Sequence, residues 1–334
     1  MRVELAIGGD AVYSHPRCRM HADADYALSK SMGYAFTYYT DEESYEITHE
    51  TDRMVSILRT HYGHTGGTYP TLLYMADHFD LTTGEVLAVL VTASPVLPGA
   101  RAFAARVREL CPAIVTLAQN VNPRPGSAVL GEREKILYGR GYIEDTLCGV
   151  RFRISPSSFY QINPVQTQVL YSAAIAAAKL TGKERVLDAY CGVGTIGLSA
   201  AAHAGSVVGV ELNRSAAACA VDNAKANNIR NARFRCGDAA AFLDGMAARG
   251  EQLDVVFLDP PRAGSTPVFL DALCRVSPAR AVYISCNPET QRRDLRLLAG
   301  WGWRARLLQP VDLFPHTEHV ECVAVLAKIR GGGM

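Results

Sequence analysis

Arg185-Val186-Leu187-Asp188-Ala189-Tyr190-Cys191-Gly192-Val193-Gly194-Thr195-Ile196-Gly197-Leu198-Ser199 decides how the C-terminal half of this chain folds. It reads as a short apolar strand, a glycine-rich turn and the start of an alanine-rich helix, the unit from which a parallel α/β sheet is built. Glycines at 192, 194 and 197 permit backbone angles and close approaches that a Cβ forbids. The helix that follows presents unpaired N–H groups to a ligand. Two kinds of ligand suit such a turn: a dinucleotide with its pyrophosphate on the helix N-terminus, or S-adenosylmethionine, for which an acidic strand residue precedes the glycines. Asp188 is that residue, and it favours the second, because a carboxylate repels a pyrophosphate and attracts a sulfonium or ammonium. A helix cap is the structural alternative for Asp188.

Working outward, further strands read in the same register. Ser206-Val207-Val208-Gly209-Val210 ends at Glu211, about 20 residues beyond the turn, the spacing at which a carboxylate accepts hydrogen bonds from ribose hydroxyls. Ala232-Arg233-Phe234-Arg235-Cys236 runs into Gly237-Asp238, which places Asp238 where an adenine edge is read, although turn chemistry also explains Gly-Asp. Leu253-Asp254-Val255-Val256-Phe257-Leu258 delivers Asp259-Pro260-Pro261-Arg262, where two prolines end the ladder and stiffen the loop. Ala281-Val282-Tyr283-Ile284-Ser285-Cys286-Asn287-Pro288 puts a thiol just past a strand end. Ligands of open α/β sheets bind beyond the carboxyl ends of the strands, so Cys286 is the candidate nucleophile; a buried small hydrophobe is the bland alternative. In Val311-Asp312-Leu313-Phe314-Pro315-His316-Thr317-Glu318-His319-Val320-Glu321-Cys322-Val323-Ala324-Val325-Leu326, a polar loop enters a last apolar strand. Glu321 is costly to desolvate there without a partner or a proton, which makes it a candidate acid or base.

The C-terminal half resembles the RNA 5-methyluridine methyltransferases, the family that methylates uracil C5 in tRNA and 23S rRNA. The resemblance covers residues 150 to 330 and adds Ser158-Phe159-Tyr160-Gln161-Ile162-Asn163-Pro164 and His319-Val320-Glu321 to the segments above. It implies that Cys286 is the nucleophile and Glu321 the base, with Gln161, Tyr190, Glu211 and Asp259 at the cofactor and target-base site. Thr195 would contact the methionine part of the cofactor, at a place where family members often carry a different polar residue. Gly192 and Gly194 complete the expected cofactor turn, with Asp238 at the adenine. The implied chemistry follows from uracil C5 being a poor nucleophile. Addition of the Cys286 thiolate to C6 builds electron density at C5, which takes the methyl group; Glu321 then removes the C5 proton and the thiolate is eliminated. The expected architecture is a Rossmann-like S-adenosylmethionine-dependent methyltransferase domain over residues 151–334, preceded by a smaller α+β domain over residues 1–150.

Composition sets the remaining bounds. A chain of 334 residues, 49% hydrophobic and 20% charged, has room for about two domains. No apolar run reaches the roughly 18 to 20 residues of a membrane span, and Met1-Arg2-Val3-Glu4 has no signal-peptide pattern, so a cytoplasmic protein without membrane association is expected. Nine scattered cysteines fit a reducing compartment. With a net charge of only +1, an RNA partner, 23S rRNA foremost or tRNA, must meet a local basic patch. Arg101, Arg106, Arg108, Arg124, Arg133, Lys135, Arg140, Arg151 and Arg153 are where to look. A monomer is expected.

In the first 150 residues, Thr71–Met75, Asp77–Leu81 and Glu85–Val91 around Thr82-Thr83-Gly84 read as a hairpin. A helix follows from Ala100 to Leu110, then a strand at Ala113–Leu117, a loop at Asn120–Ser127 and a strand at Cys148–Ile154. Two family features are not recognisable: the small β-barrel RNA-binding domain with which many members begin, and the four cysteines of an iron–sulfur cluster. Only Cys18, Cys111 and Cys148 precede the methyltransferase core, with no Cys-x-x-Cys, so no such cluster is expected. His15, Cys18, His21, His61 and His64 have no metal-site spacing, and no metal is expected. Residues 1–60 match no pattern. Two other function classes are an amino-group methyltransferase, since Asp-Pro-Pro-Arg resembles the Asp-Pro-Pro-Tyr loop of those enzymes, and an RNA-binding protein without methyl transfer.

Overall fold

The computed structural model describes residues 4–7, 34–37, 72–79, 84–123, 130–161, 163–313 and 319–328. It divides into two compact units, one of Met1–Asp145 with Arg153–Ser157, the other of Thr146–Phe152 with Ser158–Met334.

The first unit is built on a six-stranded sheet of order β2-β1-β3-β4-β5-β6. Its strands are β1 (Glu4–Ile7), β2 (Tyr34–Thr37), β3 (Leu72–Phe79), β4 (Val86–Thr92), β5 (Ile114–Val121) and β6 (Arg133–Gly139). β3 and β4 pair antiparallel, the hairpin expected from their sequence, while β4 and β5 are parallel. A parallel pair needs a crossover, and α1 (Ala100–Leu110) supplies it. Phe103, Ala104 and Val107 form one helical face of α1, packed with Val86, Leu90 and Leu117. Residues 80–83 of the expected hairpin, Arg124, and His15, Cys18, His21, His61 and His64 lie outside the described residues.

Three details differ from the sequence expectation. β5 runs to Val121, so Asn120 belongs to a strand and not to a loop. Its buried amide donates to Gly131 O at 3.0 Å and accepts from Gly131 N at 2.7 Å, which satisfies a polar side chain that otherwise disfavours a buried strand. Cys148 (φ 51°) and Gly149 (φ 76°) form the two-residue turn between β7 (Ile143–Leu147) and β8 (Val150–Ile154) and not the start of a strand; left-handed angles at both central positions suit the twist of a hairpin. Finally, several cations of the expected basic patch already face carboxylates. Arg106 pairs with Glu109 at 2.8 Å, Arg153 with Glu144 at 3.0 Å, and Arg140 with Glu85. Arg140 and Arg153 also lie over the Tyr142 ring, 4.9 and 4.8 Å from its centre.

The second unit carries a seven-stranded sheet of order β11-β10-β9-β12-β13-β15-β14. β9 (Arg185–Ala189), β10 (Ser206–Glu211), β11 (Ala232–Cys236), β12 (Val255–Leu258) and β13 (Arg280–Ser285) are parallel. β15 (Glu321–Lys328) enters antiparallel between β13 and β14 (Trp303–Val311). The helices are α2 (Pro164–Ala178), α3 (Thr195–Ala201), α4 (Arg214–Ala226), α5 (Ala239–Ala248), α6 (Pro267–Val276) and α7 (Pro288–Gly300). β12, Val-Val-Phe-Leu, is buried throughout, as strands covered on both faces are. Leu187, Leu243, Val256, Phe269, Tyr283 and Trp303 are among the residues of the core. The order of strands reverses at β9, with β10 and β11 on one side and β12 and β13 on the other. A ligand crevice opens beyond the carboxyl ends at such a point. No helix among the described residues is long and apolar enough to cross a membrane.

Candidate active site

The glycine turn after β9 is built on left-handed backbone at Tyr190 (φ 67°), Gly192 (φ 55°) and Gly194 (φ 87°). Such an angle is uncommon for a tyrosine and marks a constrained turn. Gly197 serves a different purpose inside α3: a Cβ there would lie 2.8 Å from Asp188 Oδ2. Its absence lets the carboxylate accept the Gly197 N–H at 2.7 Å. Asp188 is fully buried, and its second oxygen, Oδ1, has no hydrogen-bond partner. Burial pushes its carboxyl up to about 7; the Gly197 N–H opposes the shift and nearby Glu211 adds to it.

Glu211, at the end of β10, grips the same turn from the next strand. One carboxylate oxygen accepts Gly192 N at 2.9 Å and the other accepts Asn213 N at 2.7 Å. Asp238 follows β11, where it caps α5 by accepting Ala241 N at 2.7 Å. Gln161, Tyr190, Gly192, Thr195 and Asp259 share one cavity, with the 70% exposed ring of Phe159 also on its wall. Asp238 does not line it. Tyr171, which drew no attention in the sequence, does. Its buried hydroxyl accepts Thr195 Oγ1 at 3.4 Å, and burial, with Asp259 adding to it, holds the phenol well above its ordinary range.

The other end of the site comes from strand insertion. The β13–β15 pairing ends at Ser285 against Cys322; continued by one residue, the register brings Cys286 opposite Glu321, whose charge acts on the Cys286 thiol. Opposed side chains of an antiparallel pair share one face of the sheet. Ser285 Oγ donates to Asn287 O at 3.0 Å and accepts Asn287 N at 3.1 Å, which fixes the turn carrying Cys286. Glu321 is 2% exposed. Burial pushes its carboxyl up to about 7, against the opposing charge of Arg262. Asp259 is held well above its ordinary value by burial, by Glu321 and by Asp188. Cys286 is half-buried, and its thiol is raised by burial, then by Glu321 and Asp259, while Arg262 favours the thiolate. Arg262 Nη2 lies 3.1 Å from His319 Nδ1. Residues 314–318 of the preceding motif lie outside the described residues.

Three carboxyl groups at these strand ends, Asp188, Asp259 and Glu321, are therefore pushed toward the neutral form, and Arg262 opposes the shift at Glu321. The family model of the tRNA (uracil-5-)-methyltransferases matches residues 128–329. The chain belongs to that family. Similar members include an uncharacterized RNA methyltransferase of Halalkalibacterium halodurans, 43% identical over 256 residues that make up 77% of this chain and 56% of the relative. One from Enterococcus faecalis is 44% identical over 246 residues, 74% of this chain and 54% of the relative. The chain thus spans about half the length of these family members. Among solved structures, the Pyrococcus abyssi tRNA (uracil-54, C5)-methyltransferase in complex with S-adenosyl-L-homocysteine has a TM-score of 0.69 at 26% identity, covering 98% of this chain and 75% of that one. A putative S-adenosylmethionine-dependent methyltransferase of Streptococcus mutans, 11% identical with a TM-score of 0.51 over 89% of this chain and 85% of that one, shares the fold. The Rossmann-like methyltransferase fold and the family expected from the motifs are both borne out.

Proposed function

We propose that this protein transfers a methyl group from S-adenosylmethionine to uracil C5 of an RNA through a covalent adduct on Cys286. The observation that carries this is the antiparallel pairing of β13 and β15 up to Ser285 and Cys322, which brings Cys286 and Glu321 to the same strand end, with the Glu321 charge acting on the Cys286 thiol. A thiol and a carboxyl of raised pKa at one strand edge are what C6 addition and C5 deprotonation require.

The residues fit the cofactor by charge. A buried carboxylate with an unpartnered oxygen, Asp188, beside the Glu211-clamped turn and a cavity bordered by Asp259 favours a cationic ligand over an anionic one. Gln161, Tyr190, Gly192, Gly194, Thr195, Glu211 and Asp259 would hold it, with Asp238 near the adenine end. Bound there, S-adenosylmethionine supplies an electrophilic methyl on a sulfonium. Arg262 favours the Cys286 thiolate, which adds to uracil C6 and moves electron density onto C5. After C5 is methylated, Glu321 accepts the C5 proton as the sulfur departs, and the 5,6 double bond is restored.

The decisive experiment incubates the protein with methyl-labelled S-adenosylmethionine and fractionated RNA lacking the modification, then digests the RNA to nucleosides. The expected product is 5-methyluridine, and the fraction that carries it, 23S rRNA or tRNA, names the substrate. Label in an N-methylated base would favour amino-group transfer. RNA binding without any labelled nucleoside would favour a protein that only binds RNA.

A pH prediction follows from the raised carboxyls. Asp188 holds a proton below about 7 in the ligand-free protein, and a cation in the crevice favours its ionised form. Affinity for S-adenosylmethionine is therefore expected to rise as pH rises through about 7, with proton release on binding below that point. The change should approach tenfold between roughly pH 6 and pH 8 and be smaller for S-adenosylhomocysteine, which lacks the sulfonium charge. Calorimetry in buffers of different ionisation enthalpy measures both; affinity independent of pH would contradict the assignment of Asp188.

A further inference from the structure

The loop from Asp259 to Ser265 carries two groups of the proposed chemistry, Asp259 on the cavity wall and Arg262 beside Cys286 and Glu321. Little within the loop fixes its position, apart from a turn in which Gly264 N donates to Pro261 O at 2.8 Å. It is held from outside by α7, the helix that begins just after Cys286. Asn287, Thr290, Gln291 and Asp294 recur at the spacing of a single helical face. Asn287 Nδ2 donates to Arg262 O at 3.2 Å, and Thr290 Oγ1, with one proton to share, lies 3.1 Å from both Arg262 O and Asn287 O. Gln291 Nε2 donates to Tyr283 O on β13 and Cys322 O on β15, at 3.1 and 3.0 Å, so the same face also ties together the strands that carry Cys286 and Glu321.

Asp294 is the centre of this arrangement. It is completely buried. Its Oδ2 accepts Ser265 N and Tyr283 OH, each at 2.7 Å, and its Oδ1 accepts Arg293 Nε at 2.9 Å. Arg293 in turn donates to Ala263 O at 2.9 Å and Ser265 O at 3.3 Å. The fit leaves no room at Gly264 (φ 80°), where a Cβ would stand 2.6 Å from Arg293 Nη2 and 2.8 Å from Asp294 Oδ2. Beyond the loop, Ser265 Oγ lies 3.4 Å from Tyr190 OH, on the cavity wall. Apolar packing alone would attach α7 to the sheet without fixing where the loop backbone sits. A buried carboxylate with one oxygen held by a loop N–H and a strand hydroxyl, and the other by Arg293 of its own helix, fixes that register.

We propose that Asp294, assisted by Arg293 and Thr290, is a positioning residue for methyl transfer. It clamps the 259–265 loop so that Asp259 and Arg262 stand in fixed relation to Cys286, Glu321 and Tyr190. This rests on the uracil C5 reading for its chemistry, but the clamp itself is measurable without RNA or cofactor. Arg262 favours the Cys286 thiolate, whereas burial, Glu321 and Asp259 oppose it, and because Asp259 and Arg262 both ride on this loop, a loop that drifts changes the charge around the thiol. The rate of iodoacetamide alkylation at Cys286, followed by mass spectrometry as a function of pH, reports that geometry.

Asp294→Asn keeps an acceptor for Ser265 and Tyr283 but turns an amide toward Arg293. It is expected to shift the alkylation profile away from the parent's and to lower kcat roughly 10- to 100-fold, the scale of a displacement near 1 Å, with a smaller rise in KM for S-adenosylmethionine because Asp259 rides on the same loop. Thr290→Val removes the hydroxyl that contacts Arg262 O and leaves the buried carboxylate in place, so it should fold and show a weaker form of the same signature. Folded variants with the parent's alkylation profile and kcat would overturn the clamp. Should Asp294→Asn fail to fold, Thr290→Val decides, and parental values for both readouts overturn the proposal. A parent protein that makes no 5-methyluridine would instead overturn the proposed function, and the alkylation profiles would still test the clamp.

Discussion

Cys286→Ala is expected to abolish methylation, with turnover falling on the order of 10⁴-fold or more, as when the nucleophile of a concerted catalytic group is removed. Cofactor affinity should stay within about twofold, because Cys286 lies at the β13 end and does not line the cavity that contains the glycine turn. Cys191 is the control. It is 4% exposed and lies within the glycine turn, and burial holds its thiol far above the ordinary range, so it stays protonated and packs as a small hydrophobe. Cys191→Ala is expected to weaken cofactor binding modestly and to leave the chemistry running. RNA carrying 5-fluorouridine gives an independent view, since fluorine at C5 cannot leave as a proton and the adduct should persist on Cys286. Peptide mass spectrometry locates it. An adduct on another cysteine, or sustained methylation by Cys286→Ala, would sink the C6-addition mechanism and favour amino-group transfer.

Much of the second unit was legible because its central strands, β9, β12 and β13, are buried on both faces. Val207 to Glu211 is an apolar run ending in an acidic residue, and Val255 to Leu258 is one followed by Asp259. β14 was not anticipated. Seven of its nine residues are exposed, so it lacks the period-two contrast by which a half-buried strand is recognised. β6 was missed for the same reason. The 34 residues between Cys286 and Glu321 do not by themselves bring the two together. That requires β15 to turn back antiparallel against β13, a tertiary event that local pattern does not encode. Asp238 illustrates the opposite ambiguity, since Gly-Asp after a strand suits a ligand contact and a helix cap alike, and its carboxylate caps α5. The inward role of the polar face of α7 is not marked in the sequence, because Thr290, Gln291 and Asp294 at helical spacing are residue types that a solvent-facing stripe also carries. They face inward because the loop and strand ends they meet offer backbone donors and acceptors that need partners.

Glu321→Gln is expected to stop the cycle after methylation and leave the RNA attached to the protein. Gln has the shape of Glu but accepts no proton, so C6 addition and methyl transfer proceed while the C5 proton stays and the sulfur cannot depart. A band stable to denaturing electrophoresis, carrying label from the cofactor, should accumulate to about one equivalent of protein, with multiple turnover reduced by 10²- to 10⁴-fold. In the parent, the release step should accelerate as pH rises toward about 7, where Glu321 ionises, and level off above it. Stability separates this from misfolding. The folded protein holds the Glu321 proton up to about 7, above the 4.5 of an exposed glutamate. Ionisation of Glu321 therefore destabilises the fold progressively as pH rises from 4.5 through 7. Gln carries no such cost, so the variant should be at least as stable as the parent above pH 7 and gain nothing below 4.5. Denaturant unfolding at the two extremes checks the sign. Normal turnover with no trapped species would make Glu321 a structural carboxylate, and Asp259, the other raised carboxyl coupled to Cys286, would be the next base to test.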